Sequence, residues 1–280
     1  MEFSVIVPVF NAAKYLERCI SALLSQTLPA DRYEILMVEN NSTDQSAAII
    51  RSFDRVRLMN EPEQGSYAAR NRAIREAQGE IIAFTDPDCI PQQDWLERIR
   101  RAMAGSETRP GVILGDRRFA RDSGVLGMLA AYESALGARI FTTQRVPCYY
   151  GYTNNMAVRM SIVKALGGFQ HRLRGADSLF LRRAVEVYGA PVVKYAPDAL
   201  VRHLEIDGIS NYLEKKRIYG KLNRDSGIAT PEALSLATRF ELAARVKREQ
   251  GSSFIESIGF LGILAAGAMQ FELERRSGGR

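Results

Sequence analysis

Along the first half of the chain, short apolar runs alternate with stretches whose apolar residues recur at helical spacing. Phe3 to Val9 is an apolar, β-branched run of strand length, and Asn11 to Gln26 then places Tyr15, Leu16, Cys19, Ile20, Leu23 and Leu24 on one helical face. The same alternation predicts strands at Tyr33 to Val38, Arg55 to Asn60 and Glu80 to Thr85, with helices over Asp44 to Phe53 and Tyr67 to Ala77. Strands separated by helices predict βαβ units, hence an α/β fold that is Rossmann-like with a mainly parallel sheet. Ligands of such sheets gather at the carboxyl ends of the strands. Those positions carry Asn11, then Glu39-Asn40-Asn41-Ser42, then Asp86-Pro87-Asp88.

Further on, the pattern predicts a helix over Trp95 to Met103, a strand at Val112 to Leu114, a helix over Val125 to Ala138 and an extended segment from Gly151 to Val158. Short helices follow at Ser161 to Leu166 and Ser178 to Tyr188, then two strands, Pro191 to Tyr195 and Ala199 to His203. From Ser210 the chain turns to helices with basic faces, one of them starting at Thr230-Pro231-Glu232-Ala233 with proline in its first turn. A boundary is placed near 209.

The 280 residues suffice for one large domain with an appendage, and 46% hydrophobic with 25% charged residues excludes wholesale disorder and a multi-span membrane protein. A net charge of +6 points to a polyanionic partner: nucleic acid, a diphosphate-bearing substrate or an anionic membrane surface. The basic residues are dispersed and no aromatic-basic motif occurs, which disfavours nucleic acid. Cys19, Cys89 and Cys148 are odd in number and widely spaced, as expected of buried or incidental thiols in a reducing compartment. No export signal is read at the start of the chain. Phe254 to Phe271 is mostly apolar, yet its cleanest run, Ile258 to Met269, is shorter than a membrane-spanning helix. With Lys215, Lys216, Arg217, Lys247 and Arg248 ahead of it, this stretch either lies on an anionic membrane surface or packs as a core helix.

Asp86-Pro87-Asp88 projects two carboxylates from a strand end onto a proline-stiffened turn. A hard divalent cation bridging a diphosphate needs one or two such ligands, and it would neutralise charge on a departing diphosphate. The alternative is a turn without a ligand, since Asp and Pro are common turn residues. Arg70 stands near the start of a helix after the loop Gln64-Gly65-Ser66, where it can fork onto phosphate or a base carbonyl, or else form a surface salt bridge. Asp177 opens the helix preceding Arg182-Arg183 and can act as a base or only as an N-cap.

Taken in order, Phe3 to Asn11 with Tyr15-Leu16, Glu39-Asn-Asn-Ser-Thr-Asp44, Ala69-Arg-Asn71, Gly79 to Asp88, Trp95-Leu96 and Gly167-Gly-Phe169 resemble the family 2 glycosyltransferases across about residues 1 to 220. The resemblance implies inverting sugar transfer from a nucleotide-diphosphate donor, UDP-sugar, to the hydroxyl of a carbohydrate or lipid-linked acceptor, with Mn2+ or Mg2+ as cofactor. It divides the chain into a catalytic domain, 1–209, with a nucleotide-sugar part at 1–115 and an acceptor part at 116–209, followed by a helical C-terminal region at 210–280. Carried over by position, it implies that Pro8, Phe10, Asn11, Glu39, Asn41, Arg70 and Asp86 bind the donor nucleotide. Asp88 and His203 would hold the metal, Asn154 and Asn155 would contact sugar or acceptor, and Asp177 would be the general base. Glu39 stands where the family more often has aspartate, and Ala176 where it often has glutamate.

Work on the cytoplasmic side, peripheral on the inner face of the cell membrane, fits this reading. A catalytically weak nucleotide-sugar-binding protein of the same fold is the alternative. A dinucleotide dehydrogenase is disfavoured, because the first strand-to-helix turn from Pro8 to Tyr15 contains no glycine.

Overall fold

The computed structural model describes residues 1–104, 110–121, 123–142, 149–172, 174–226 and 235–277, with 222–226 described in backbone only. Strand β1 (Phe3–Val9) is followed by α1 (Ala13–Leu24), β2 (Tyr33–Glu39), α2 (Ser46–Arg51), β3 (Val56–Asn60), α3 (Ser66–Ile74) and β4 (Ile81–Thr85). Next come β5 (Cys89–Pro91), α4 (Trp95–Ala104), β6 (Val112–Phe119), α5 (Gly124–Thr142), β7 (Asn155–Arg159), α6 (Met160–Leu166), α7 (Ala176–Tyr188) and β8 (Val193–His203). Helices α8 (Ile209–Ser226), α9 (Leu236–Glu249) and α10 (Phe254–Arg276) are the last described elements.

The strands form one sheet in the order β3-β2-β1-β4-β7-β6-β8-β5. β1 pairs in parallel with β2 and β4, and β2 with β3, while β7 runs antiparallel to β4 and β6. Every residue of β1 is buried, as a strand covered on both faces requires. On one of those faces Phe3, Val5, Val7 and Val9 pack with Leu16, Ile20 and Leu23 of α1 and with Trp95, Leu96 and Ile99 of α4. The α1 stripe recurs at three- and four-residue steps, so a single helical face supplies that contact.

The chain divides into two compact units. The first comprises Met1–Asp116 and Tyr149–Arg202, the second Arg117–Cys148 and His203–Arg280. Within the second, Tyr132 of α5 meets Phe260 of α10 at 6.2 Å between ring centroids. Glu133 of α5 accepts hydrogen bonds from Tyr212 and Lys216 of α8, and α9 buries Leu242, Ala243 and Val246.

β8 and β6 differ from expectation. β8 is one strand of eleven residues where the sequence predicts two, and it carries exposed Pro197 in its middle. β5, its sheet neighbour, has only three residues, so much of that edge of β8 needs no N–H donor and proline is tolerated there. β6 runs on past Leu114 to Phe119, because Asp116 is buried and accepts a hydrogen bond from Tyr195 Oη at 3.1 Å. The helix start expected at Thr230 lies outside the described residues. α9 is described from Leu236, capped by Ser235 Oγ accepting from the Thr238 N–H at 3.2 Å.

Candidate active site

The turns after β1 and β2 are clasped together by short polar side chains. Asn11 Oδ1 accepts from the Thr43 N–H at 2.8 Å and Ser42 Oγ from the Asn11 N–H at 3.1 Å. Asp44 accepts from the Ala13 and Ser46 amides, and Ser46 Oγ from the Ala12 N–H. Burial would raise the Asp44 carboxyl, but the hydrogen bonds from Ser46 and Ala13 outweigh it and hold the group below its ordinary value. Asn11 and Asn41 both adopt left-handed backbone, φ 47° and 66°, a conformation that asparagine accepts more readily than most residues.

Glu39 ends β2, half-buried, and one of its carboxylate oxygens takes the Ser42 N–H. The buried Asn40 amide donates to the Glu61 and Glu63 carbonyls, each at 2.7 Å, and accepts from the Gly65 N–H at 2.7 Å. Asn40 therefore fixes the loop that delivers α3, and Asn41 adds a bond to the Pro62 carbonyl at 3.0 Å. Phe10 is exposed just beyond β1, whereas Pro8 is buried within the strand opposite Val38.

Arg70 is 3% exposed and donates to Asp86 Oδ1 at 2.5 Å. It is thus a buried ion pair at the end of β4 and not a surface salt bridge. Its Nε has no hydrogen-bond partner among the described residues, and its guanidinium lies 5.5 Å from the centroid of the Tyr67 ring. Asp88, half-buried, follows two residues later and leads into β5. Burial pushes the Cys19 and Cys89 thiols well up, with the neighbouring Asp88 and Asp86 adding to the rise, so both are inert buried thiols as expected. Cys148 lies outside the described residues.

Asp177 sits in the first turn of α7, whose N-cap is Gly175, so the capping role does not fall to it. Its Oδ1 accepts from the Ser178 N–H at 2.8 Å. Burial raises the Asp177 carboxyl above its ordinary value, against the opposing pull of the Ser178 amide, the Arg70 charge and the Tyr67 hydroxyl. Arg70 therefore faces two carboxylates, bonding one and acting on the other through space. Gly151 supports this turn: a Cβ there would stand 2.3 Å from the Asp177 carbonyl oxygen.

Asn155 is 1% exposed and fully engaged. It donates to the Asp116 and Ala199 carbonyls at 2.6 and 2.8 Å and accepts from Trp95 Nε1 at 2.9 Å. This geometry makes Asn155 a junction between strands, with both of its N–H groups already engaged. Asn154 is half-buried beside Thr85, which donates to its carbonyl at 3.1 Å, and its Oδ1 has no partner among the described residues. His203 is the buried last residue of β8, the strand next to β5 in the sheet.

Sequence reasoning missed the bond between two of its own motifs. Asn71 donates to the Phe169 carbonyl at 2.8 Å and accepts from the Phe169 N–H at 3.0 Å. No spacing signals a pair 98 residues apart; only the presence of both motifs could have suggested it.

A sequence profile described as glycosyl transferase family 2 matches residues 4–167. The chain belongs to this family. Glycosyltransferase AglE of Haloferax volcanii is 36% identical over 195 residues, which make up 65% of this chain and 61% of that relative. The chain thus spans less than two thirds of the relative's own length. Among solved structures, the mannosyltransferase PcManGT from Pyrobaculum calidifontis, in complex with GDP-Man and Mn2+, superposes with a TM-score of 0.65 at 18% identity, covering 99% of this chain and 88% of that one. TarS 1–349 of S. aureus in complex with UDP gives 0.59 at 19%, covering 99% and 83%. At such identities these likenesses show the fold alone.

Proposed function

We propose that the chain is an inverting glycosyltransferase that moves a sugar from a UDP-sugar to the hydroxyl of a carbohydrate or lipid-linked acceptor. The observation that carries this reading is the buried Arg70, which bonds one carboxylate and acts by its charge on a second. Asp86 is engaged by the guanidinium, whereas Asp177 lies in the first turn of α7 with its carboxyl raised by burial, which suits it to exchange a proton.

In the proposed reaction the acceptor oxygen attacks the anomeric carbon from the face opposite the diphosphate. The carbon–oxygen bond to the diphosphate breaks, its electron pair leaves with the diphosphate, and the acceptor proton passes to the Asp177 carboxylate. Glu39 and Arg70 hold the nucleotide, helped by the clasp of Asn11, Ser42 and Thr43 that shapes its seat. One Glu39 oxygen is engaged by Ser42, which leaves the other for a single ring N–H. Uracil presents one such donor, guanine a ring N–H with an amino group beside it. Asn154 is a candidate contact for the sugar.

Asp88 and His203, the metal ligands that the family resemblance implies, offer oxygen and nitrogen donors of the kind that suit a manganese-type ion. Such an ion, when bound, supplies positive charge to the leaving diphosphate. Melting curves with UDP, GDP and Mn2+, followed by a transfer assay with the donors that bind, test the reading. It requires a larger stabilisation by UDP with Mn2+ than by GDP with Mn2+. Equal shifts would remove the uracil assignment, and no shift with any nucleotide would remove the donor site.

A further inference from the structure

The most conspicuous feature outside the site is the outward face of α10. Phe254, Ile255, Ile258, Leu261, Met269 and Leu273 are between 46% and 81% exposed, while Ser257, Phe260 and Gly267 face inward. At 100° per residue the exposed positions fall on one stripe, completed by Gly262, Ala265 and Ala268. The usual amphipathic order is thus reversed. Only 17% of the helix's most apolar window is buried, too little for a core helix. On α9, Leu236 and Phe240 are exposed as well, one turn apart.

We infer that this face docks on a lipid bilayer carrying anionic headgroups. The uncharged run from 257 to 271, between Glu256 and Glu272, measures about 22 Å at 1.5 Å per residue. By length and composition the whole 23-residue helix would reach across the roughly 30 Å of a bilayer's hydrocarbon, but its inward side packs at Gly267 on Tyr212, Leu213 and the charged Lys216 of α8, so it is placed along the interface. Charge selects the occupant. Exposed Arg245, Lys247 and Arg248 precede the stripe, with Arg245 paired to Glu249, while after it Arg275 and Arg276 are matched in number by Glu272 and Glu274. Glu256 is tied into the capping box of Ser253, and Glu272 is paired with both terminal arginines. A parallel second copy would bring the cationic flanks at Lys247 and Arg248 together, whereas anionic headgroups complement them. The apolar stripe supplies insertion and the flanking cations supply attraction.

The test is flotation of the full chain with vesicles of phosphatidylcholine alone and of phosphatidylcholine mixed with phosphatidylglycerol. Binding to the mixed vesicles at low salt is expected. The combined variant Phe254→Glu, Ile258→Glu, Leu261→Glu changes only exposed positions, so it should keep the wild-type melting temperature and lose binding about tenfold or more. Lys247→Glu with Arg248→Glu should erase the preference for phosphatidylglycerol. Failure of the wild type to float, or undiminished flotation of the triple variant, overturns the inference. A dimer in light scattering that the triple variant abolishes, without flotation of either form, assigns the face to a second copy instead. No donor is needed for flotation, so this inference and the transfer reaction fail independently.

Discussion

Asn71 of α3 holds Phe169 by both edges of its backbone, donating to the carbonyl at 2.8 Å and accepting from the N–H at 3.0 Å. The Phe169 ring in turn meets Tyr67, Phe84 and Phe180 at centroid distances of 5.2 to 5.5 Å. One residue thereby ties the helix that carries Arg70, the strand that leads to Asp86 and the helix that carries Asp177. Asn71→Ala leaves two backbone groups without their partner and should cost about 1–3 kcal/mol. Gly168→Ala should also destabilise, since φ is +76° and the new Cβ would stand 2.8 Å from Asn71 Oδ1. Chemical denaturation of both variants checks this, and unchanged midpoints would mean that the contact is incidental.

Gly151→Ala puts a methyl group against backbone that cannot swing aside, 2.3 Å from the Asp177 carbonyl. The first turn of α7 must shift. Turnover should fall by about 10-fold or more, the scale on which a displaced catalytic group is felt, while UDP affinity stays close to wild type. Loss of UDP binding in step with turnover would show that Gly151 serves the fold as a whole.

The pH dependence of stability follows from the sign of the Asp177 shift. Its carboxyl is raised in the folded state by burial, against an ordinary value of 3.8. As pH climbs past that ordinary value the unfolded chain releases its proton first, so the folded state loses stability until its own raised value is passed. Asp177→Asn removes this loss. The variant should match wild type at acid pH and melt higher than it at neutral pH. Wild type gaining on the variant as pH rises would contradict the raised carboxyl.

Much of this was legible in the sequence because β1 to β4 and their helices are built from uninterrupted apolar runs and clear helical stripes. The strand-end rule then located Glu39, Asp86 and Asp88 without a structure. β5 escaped because three residues carry no periodicity, and β8 was divided in two because Pro197 reads as a break. The extension of β6 was hidden by Asp116, a buried acid that composition places on a surface. Asn155 is a related case: an asparagine in a motif strand reads as a ligand, and its three partners, Asp116, Ala199 and Trp95, are visible only in the structure. The inverted face of α10 could not be told from a core helix, since apolar residues look the same from either side.

Arg70→Lys keeps the charge but loses the planar fork that reaches Asp86 from a buried position. UDP affinity should drop by roughly tenfold, about 1.4 kcal/mol, and Asp86→Asn should do the same. The double variant should lose less than the sum of the two, because each single change already breaks the pair. Titration calorimetry with UDP and Mn2+ reads this directly, and fully additive losses would separate the two residues.

The most direct test of the account is turnover of a UDP-sugar with Mn2+ and acceptor by wild type and Asp177→Asn, at donor concentrations that calorimetry shows to be saturating for both. The account predicts that Asp177→Asn binds UDP like wild type and transfers sugar about 100-fold more slowly or worse. Transfer by the variant within a few-fold of wild type would contradict it, and the base would have to be sought elsewhere.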